Sequence, residues 1–143
     1  MKNILTIILL TYSVSSFAGA STVSDTIPNW QVYNGGKILK AFNAIGKNNR
    51  IVLTKGEIRA IDTFNVRYFD DTPCFDCNAS LILKTQDDIF IRTINNSSSN
   101  YDFNVKTTDL QALAFKNKSS VLRFYYKEDE SNNEMLLFEI EIK

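Results

Sequence analysis

The only two cysteines of the chain, Cys74 and Cys77, lie three residues apart in the stretch YFDDTPCFDCN. Such a pair can serve thiol redox chemistry, metal binding or a disulfide. Redox catalysis requires the first cysteine at the start of a helix, which stabilises its thiolate. Here the pair lies between two strand-like stretches and beside Asp70, Asp71 and Asp76, whose charges disfavour a thiolate. A thiol-disulfide redox protein is therefore a minor alternative.

A disulfide is the remaining interpretation of the cysteine pair. The chain contains no histidine and no second cysteine pair, so a tetrahedral zinc site lacks two ligands. In an oxidising compartment the two cysteines would close a small loop, which is worth about 2 kcal/mol. We predict a Cys74–Cys77 disulfide that stiffens an acidic loop. A stiff loop loses less conformational entropy when it binds a partner.

Hydrolytic catalysis finds no support in the residues. Without histidine no Ser-His-Asp or Cys-His set can be assembled, and no GxSxG motif is present. No pair of carboxylates differs from ordinary surface acids in a way that would indicate glycoside hydrolysis. We therefore predict a protein that is not an enzyme and uses no cofactor.

The first twenty residues are typical of a cleaved secretory signal. Lys2 precedes an apolar run from Ile4 to Leu10, and small residues end the segment at Ala20. The predicted mature domain, residues 21–143, has no apolar stretch long enough to span a bilayer. We predict an exported protein of bacterial type, periplasmic or extracellular, with one domain and no transmembrane anchor. The sequence indicates no oligomeric state.

The overall charge is balanced, with 16 basic and 16 acidic side chains. Proteins that bind nucleic acids or anionic membranes usually carry a basic face. Since the two signs are interspersed along the chain, we expect neither of these partners.

Most of the predicted mature chain alternates apolar and polar residues with period two, which is typical of half-buried strands. In the last segment, NEMLLFEIEIK, the alternation places Leu136, Phe138, Ile140 and Ile142 on one face. Similar patterns lie in EIRAIDTFNVRYF, ASLILK, DDIFIRTI, NYDFNVK and SSVLRFYYK, with polar turns between them. These patterns predict an all-β antiparallel sandwich, immunoglobulin-like or a similar Greek key, of about 7–9 strands with one or two short helical turns.

Three segments of this sandwich need a separate interpretation. Asp62 interrupts the apolar face that runs from Ile58 to Tyr68, so we expect a bend there. Residues 37–45 fit a helix or a hairpin strand, and the turn Asn34-Gly35-Gly36 favours the hairpin. TTDLQALAFKN is predicted to be a short helix, capped by Thr108 or Asp109.

The order of strands and loops predicts a binding surface. If successive strands run up and down, the loops around residues 70–78, 95–100 and 127–133 share one end of the sandwich. The candidate residues in these loops are Asp70, Asp71, Asp76, Asn78, Glu128, Asp129 and Glu130. Clustered carboxylates can also bind calcium, for which Asp70, Asp71 and Asp76 are the candidates. The segments lack a regular calcium-loop spacing, which weighs against that site.

The aromatic residues offer a second type of surface. A carbohydrate or partner platform can be built from Trp30, Tyr33, Tyr101, Tyr125 and Tyr126. Aromatic residues that alternate along strands belong more often to the core, and the sequence favours that interpretation for each of them.

Together these features favour a non-catalytic exported binding protein. Its expected partner is a protein or a cell-envelope component, as for an inhibitor, immunity or accessory protein. The alternative is a structural subunit of a surface assembly that pairs through its sheet edges.

Overall fold

A computed structural model of the protein describes residues 27–70, 78–96, 101–129 and 131–143. Nine strands and two helices form along the chain in this order: β1 (Asn29–Asn34), β2 (Lys37–Asn43), β3 (Arg50–Leu53), α1 (Lys55–Ala60), β4 (Thr63–Phe69), β5 (Ala79–Thr85), β6 (Phe90–Asn95), β7 (Asp102–Lys106), α2 (Thr107–Lys116), β8 (Val121–Glu128) and β9 (Met135–Ile142). The predicted signal peptide, residues 1–20, lies outside the described residues.

The strands form two sheets that pack face to face. Sheet A has the order β2-β1-β4-β7, and sheet B has the order β3-β9-β8-β5-β6. The predicted all-β sandwich is confirmed, with nine strands and two short helices. One pair departs from the antiparallel rule, since β3 runs parallel to β9, with Arg50 opposite Glu139. This pairing brings an early strand to the edge of the sheet next to the last one.

Aromatic side chains from both sheets fill the core. Phe42 of sheet A stacks on Phe138 of sheet B with ring centroids 5.8 Å apart, and Phe138 stacks on Phe124 at 4.6 Å. Trp30 packs beside Phe42 and is 1% exposed. Rings of this size bury large apolar areas, so these contacts hold the two sheets together.

The β1–β2 hairpin confirms the strand interpretation of residues 37–43. Asn34 pairs with Lys37 across a two-residue turn. Gly35 and Gly36 have φ values of 54° and 86°, the left-handed conformation that a tight hairpin turn requires. The turn chemistry therefore outweighs the helical spacing of the apolar residues that follow it.

Helix α1 replaces the first part of a predicted strand. Thr54 Oγ1 accepts a hydrogen bond from Glu57 N at 3.2 Å, and the Glu57 carboxylate accepts one from Thr54 N at 2.8 Å. This reciprocal capping box starts a helix that buries Ile58. The predicted alternation was therefore wrong from Ile58 to Ala60, whereas Phe64, Val66 and Tyr68 share the buried face of β4 as predicted. The bend expected at Asp62 is present and separates α1 from β4.

A bulge in β9 changes which residues face the core. Phe124 pairs with Phe138, but Tyr125 pairs with Leu136, so Leu137 is an additional residue on its strand. Leu137 is fully buried and Leu136 is 42% exposed. The prediction that Leu136 faces the core was wrong, because a bulge reverses the alternation on one side of it.

Two other local predictions also need correction. The N-cap of α2 is Lys106, without a side-chain hydrogen bond, rather than Thr108 or Asp109. Instead, the buried Thr107 hydroxyl donates to the Ile61 carbonyl and ties α2 to the segment after α1. The strand predicted in DDIFIRTI begins only at Phe90, and the alternating residue Ile89 lies in the turn before it and is 59% exposed.

Ion pairs cover the outer face of sheet B. The Glu139 carboxylate lies 2.7 Å from Arg50 Nη2 and 2.9 Å from Arg123 Nε. Arg123 also contacts the Asp88 carboxylate at 3.1 Å. The network joins β3, β9 and β8 with the turn before β6.

Candidate functional site

Three loops meet at one end of the sandwich. Strands β4, β6 and β8 end there, and β5, β7 and β9 begin there. Three of the five connections from β4 to β9 cross from one sheet to the other. Each strand that follows a crossing begins at the end of the sandwich where the preceding strand stopped. Successive loops therefore alternate between the two ends, as predicted. We call this end the tyrosine end, after Tyr68, Tyr101 and Tyr126, and the end with α1 and α2 the helix end.

Backbone hydrogen bonds tie the loop ends of the tyrosine end to one another. Asp129 N donates to Asn78 O at 2.9 Å, which joins the 129–134 loop to the chain entering β5. Asn96 N donates to Ala79 O at 3.1 Å, which joins the exit of β6 to the same strand. The ends of separate loops are therefore held in fixed relative positions.

Three tyrosine rings lie directly beneath these loop ends. Tyr68 of sheet A stacks on Tyr126 of sheet B at a centroid distance of 4.1 Å. Tyr101 meets both rings edge-on, at 6.4 and 6.3 Å. Tyr68 and Tyr126 are buried, whereas Tyr101 is half-buried. The cluster connects the two sheets where the loops leave them.

Two of the predicted site carboxylates bind the hydroxyls of this cluster. Tyr68 donates to Asp70 Oδ2 at 3.2 Å, and Tyr126 donates to Glu128 Oε1 at 2.9 Å. Burial raises the pKa of the Tyr68 hydroxyl, and the charge of Asp70 raises it further. Burial and the hydrogen bond to Glu128 raise the pKa of Tyr126 in the same way. Both phenol groups therefore stay neutral, and continue to donate these hydrogen bonds, at pH values above the usual pKa of tyrosine.

The predicted site residues fall into two groups. Asp70, Asn78, Glu128 and Asp129 lie together at the tyrosine end, and the side chains of Asn78 and Asp129 are exposed. The others lie outside the described residues: Asp71, Cys74, Asp76, Cys77 and Glu130. The Cys74–Cys77 disulfide stays a prediction. Among the described residues no group of three or more His, Cys, Asp or Glu could hold a metal ion, and two of the three calcium candidates are not described.

The aromatic residues considered as a platform are distributed between core and surface. Trp30 and Tyr126 are buried, at 1% and 5% exposure, and belong to the core. Tyr33, Tyr101 and Tyr125 are half-buried. The core interpretation is therefore confirmed for Trp30 and Tyr126, and Tyr101 packs against the core, whereas Tyr33 and Tyr125 lie outside it.

The sequence did not reveal a cavity beside Trp30. It has a volume of about 630 Å³ and is lined by Trp30, loop residues 44 and 46–49, Arg50 and the start of β9. Trp30 pairs with Tyr68, and Met135 in the opposite wall pairs with Tyr126, so the cavity adjoins the tyrosine cluster. Trp30 Nε1 is buried and has no hydrogen-bond acceptor in the described part of the chain. The sequence signals available here were Trp30 on a strand and the polar turn at residues 46–49, and neither of them specifies a cavity.

No protein-family model matches the chain, and no curated protein matches it. In the described ranges neither helix is long and apolar enough to cross a membrane.

Proposed function

We propose that the chain is a non-catalytic exported protein that binds a protein or a cell-envelope component through its tyrosine end. The observation that carries this proposal is the fixed arrangement of the loop ends, tied by the Asp129–Asn78 and Asn96–Ala79 hydrogen bonds above a buried tyrosine cluster. Loops that a sandwich holds at one end are common sites of recognition.

Rigidity of the support favours binding. A loop that is ordered before contact loses little conformational entropy when a partner arrives. Tyr68 and Tyr126 stack across the two sheets and cannot move independently of the core. The predicted Cys74–Cys77 disulfide would stiffen the longest of these loops as well.

Charge indicates the partner. Asp70, Glu128 and Asp129 are described carboxylates of the tyrosine end, and the sequence adds Asp71, Asp76 and Glu130 to the same loops. Glu134 of the 129–134 loop is paired with Lys84. A basic surface on the partner would complement them and accelerate association. The cavity beside Trp30 offers a recess of about 630 Å³ for an apolar side chain at the margin of the contact.

A charge-reversal experiment tests this placement. The double variant Asn78→Arg/Asp129→Arg changes two exposed side chains of the tyrosine end. The control Gln86→Arg/Asp87→Arg changes an exposed amide and an exposed carboxylate in the β5–β6 turn, at the opposite end. We expect the first variant to lose partner capture from a native envelope extract, and the control to retain it, with the captured protein identified by mass spectrometry. Equal capture by both variants would contradict the proposal.

A structural subunit is the second candidate, and the edge strand β2 is the observation that favours it. Ile38 and Leu39 on β2 are 50% and 37% exposed, although β2 is an edge of sheet A. An exposed apolar edge can pair with another strand. Light scattering over a wide concentration range decides between the candidates, since a constant monomeric mass argues against assembly.

A further inference from the structure

The helix end contains a cleft that the proposed binding surface does not use. It lies between α1, the C-terminal part of α2 and the end of β9, and has a volume of about 580 Å³. Cavities of this size accommodate small organic ligands. The cleft is thus a candidate ligand site separate from the tyrosine end.

The charged side chains of this cleft all have one sign. Its lining includes four cations, Lys55, Arg59, Lys118 and Lys143, and no carboxylate side chain. Lys143 Nζ lies 3.8 Å from the Glu141 carboxylate. The other three have no ion-pair partner within 4.0 Å in the described ranges, whereas Arg50, Arg92 and Arg123 are paired. Like charges gathered around one recess repel one another, and an anion between them would relieve that repulsion.

Hydrogen bonds at the end of α2 occupy three of its last carbonyls. Asn117 N donates to Leu113 O at 3.0 Å, and Ser119 N donates to Ala114 O at 3.0 Å. Lys118 N donates to Phe115 O at 3.2 Å. Lys118 adopts φ of 50°, the left-handed conformation that ends a helix and that glycine adopts more readily. Hydrogen bonding of these three carbonyls weakens the negative field that the end of a helix presents to an anion.

An apolar surface lies beside these cations. Phe115 is 88% exposed, the most exposed large apolar side chain in the described part of the chain, although Ala114 next to it is buried. Phe115, Ala114 and Ile142 line the same cleft as the four cations. An exposed phenyl ring alone is ordinary, but here it stands at the wall of a cationic recess.

We infer that this cleft binds an anion that carries a hydrocarbon chain. The carboxylate or phosphate head pairs with Arg59, Lys55 and Lys118, and the chain lies over Phe115. A free fatty anion and the headgroup region of an anionic lipid share this chemistry. The experiment therefore has one arm for each source.

In the first arm the intact protein is titrated by calorimetry with monomeric decanoate, and with decanol as the uncharged analogue. We expect decanoate to bind and decanol to bind at least about tenfold more weakly, since charge-assisted contacts to the head are lost. In the second arm the protein is sedimented with vesicles of phosphatidylglycerol or of phosphatidylcholine. Binding of decanoate alone assigns a free anion, and selective binding to phosphatidylglycerol assigns a lipid.

Variants place the binding in the cleft. Arg59→Gln/Lys118→Gly removes two cations, and glycine suits the left-handed backbone of Lys118, so the fold is preserved. The control Lys37→Gln/Lys40→Gln removes two exposed cations from β2. We expect about tenfold or greater weakening for the first variant only, and weaker decanoate binding for Phe115→Ala with unchanged binding of inorganic phosphate. Absence of binding in both arms, or equal affinity for decanol, would overturn the inference.

Discussion

The tyrosine end and the helix end close the same sandwich in different ways. At the tyrosine end, three loops are joined by backbone hydrogen bonds above rings from both sheets, and carboxylates accept the tyrosine hydroxyls. At the helix end, two short helices close the core and leave a cationic cleft of about 580 Å³. One end is packed and acidic, and the other is recessed and basic.

This difference shows that a chain with balanced total charge can still distribute its charges unevenly between the two ends of the fold. The chain has 16 residues of each charge, from which we expected neither a nucleic acid nor an anionic membrane as a partner. Yet no carboxylate side chain lines the cleft with Lys55, Arg59 and Lys118. A total charge averages over both ends, so it does not describe the charge of a local recess.

The largest expected effect contrasts one aromatic residue from each end. Tyr126→Ala removes a ring that is 5% exposed and stacked on Tyr68, whereas Phe115→Ala removes a ring that is 88% exposed. We expect the first to lower the free energy of unfolding by about 3–5 kcal/mol and the second to change it by less than about 0.5 kcal/mol. Urea unfolding of both variants measures the contrast. A similar loss for both would mean that Phe115 supports the fold rather than a ligand.

The next prediction concerns alkaline pH. Burial, followed by the charge of Asp70, raises the pKa of Tyr68, and burial with the hydrogen bond to Glu128 raises that of Tyr126. In the unfolded chain both would ionise near pH 10. The folded state then holds these protons more tightly, so stability is present below that pH and is lost as the pH rises above it. The free energy of unfolding measured across this range should decline.

The matching control is the double variant Tyr68→Phe/Tyr126→Phe. Its alkaline decline should be shallower, because neither ring can ionise. Tyrosinate absorbance of the folded parent should include a signal from Tyr68 and Tyr126 that resists titration, and the double variant should lose that signal. An unchanged decline in the double variant would place the alkaline sensitivity outside the tyrosine end.

A smaller effect tests the helix end. Thr54→Ala removes the side-chain half of the capping box of α1 and should cost about 1 kcal/mol, whereas Thr54→Ser retains the cap. Since the tyrosine end has no contact with this cap, amide exchange should accelerate in α1 and stay unchanged at Asn96 and Asp129. Faster exchange at both ends would show that the two ends unfold as one unit.

The sequence predicted those features of the fold that a single local signal determines. Asn34-Gly35-Gly36 specified a hairpin against a competing helical pattern, because few residues adopt its left-handed turn. The sharing of one end by the loops also followed from strand order. The candidate residues Asp70, Asn78, Glu128 and Asp129 therefore lie together as predicted, although their binding role remains a proposal.

Other features depend on contacts that no local pattern contains. The bulge at Leu137 is set by how β9 fits against β8, so the alternation could not indicate that Leu136 turns outward. The cationic cleft combines α1, α2 and the last residues of β9, which are distant in sequence. Thr54 and Glu57 were a readable exception, since their spacing is that of a capping box.

The smallest expected effect belongs to the ion pairs on the outer face of sheet B, between the two ends. Burial alone would raise the pKa of Glu139, but hydrogen bonds from Arg50 and Arg123 outweigh it and lower the pKa. The network therefore stabilises the fold above the ordinary glutamate pKa of about 4.3, and this contribution is lost as the pH falls through the lowered value. Glu139→Gln should reduce stability by about 0.5 kcal/mol at neutral pH and flatten the acid decline of urea unfolding curves. An acid decline that is unchanged in Glu139→Gln but flattened in Glu128→Gln would contradict this prediction. The acid sensitivity would then belong to the tyrosine end, like the alkaline sensitivity, and not to the outer face of sheet B.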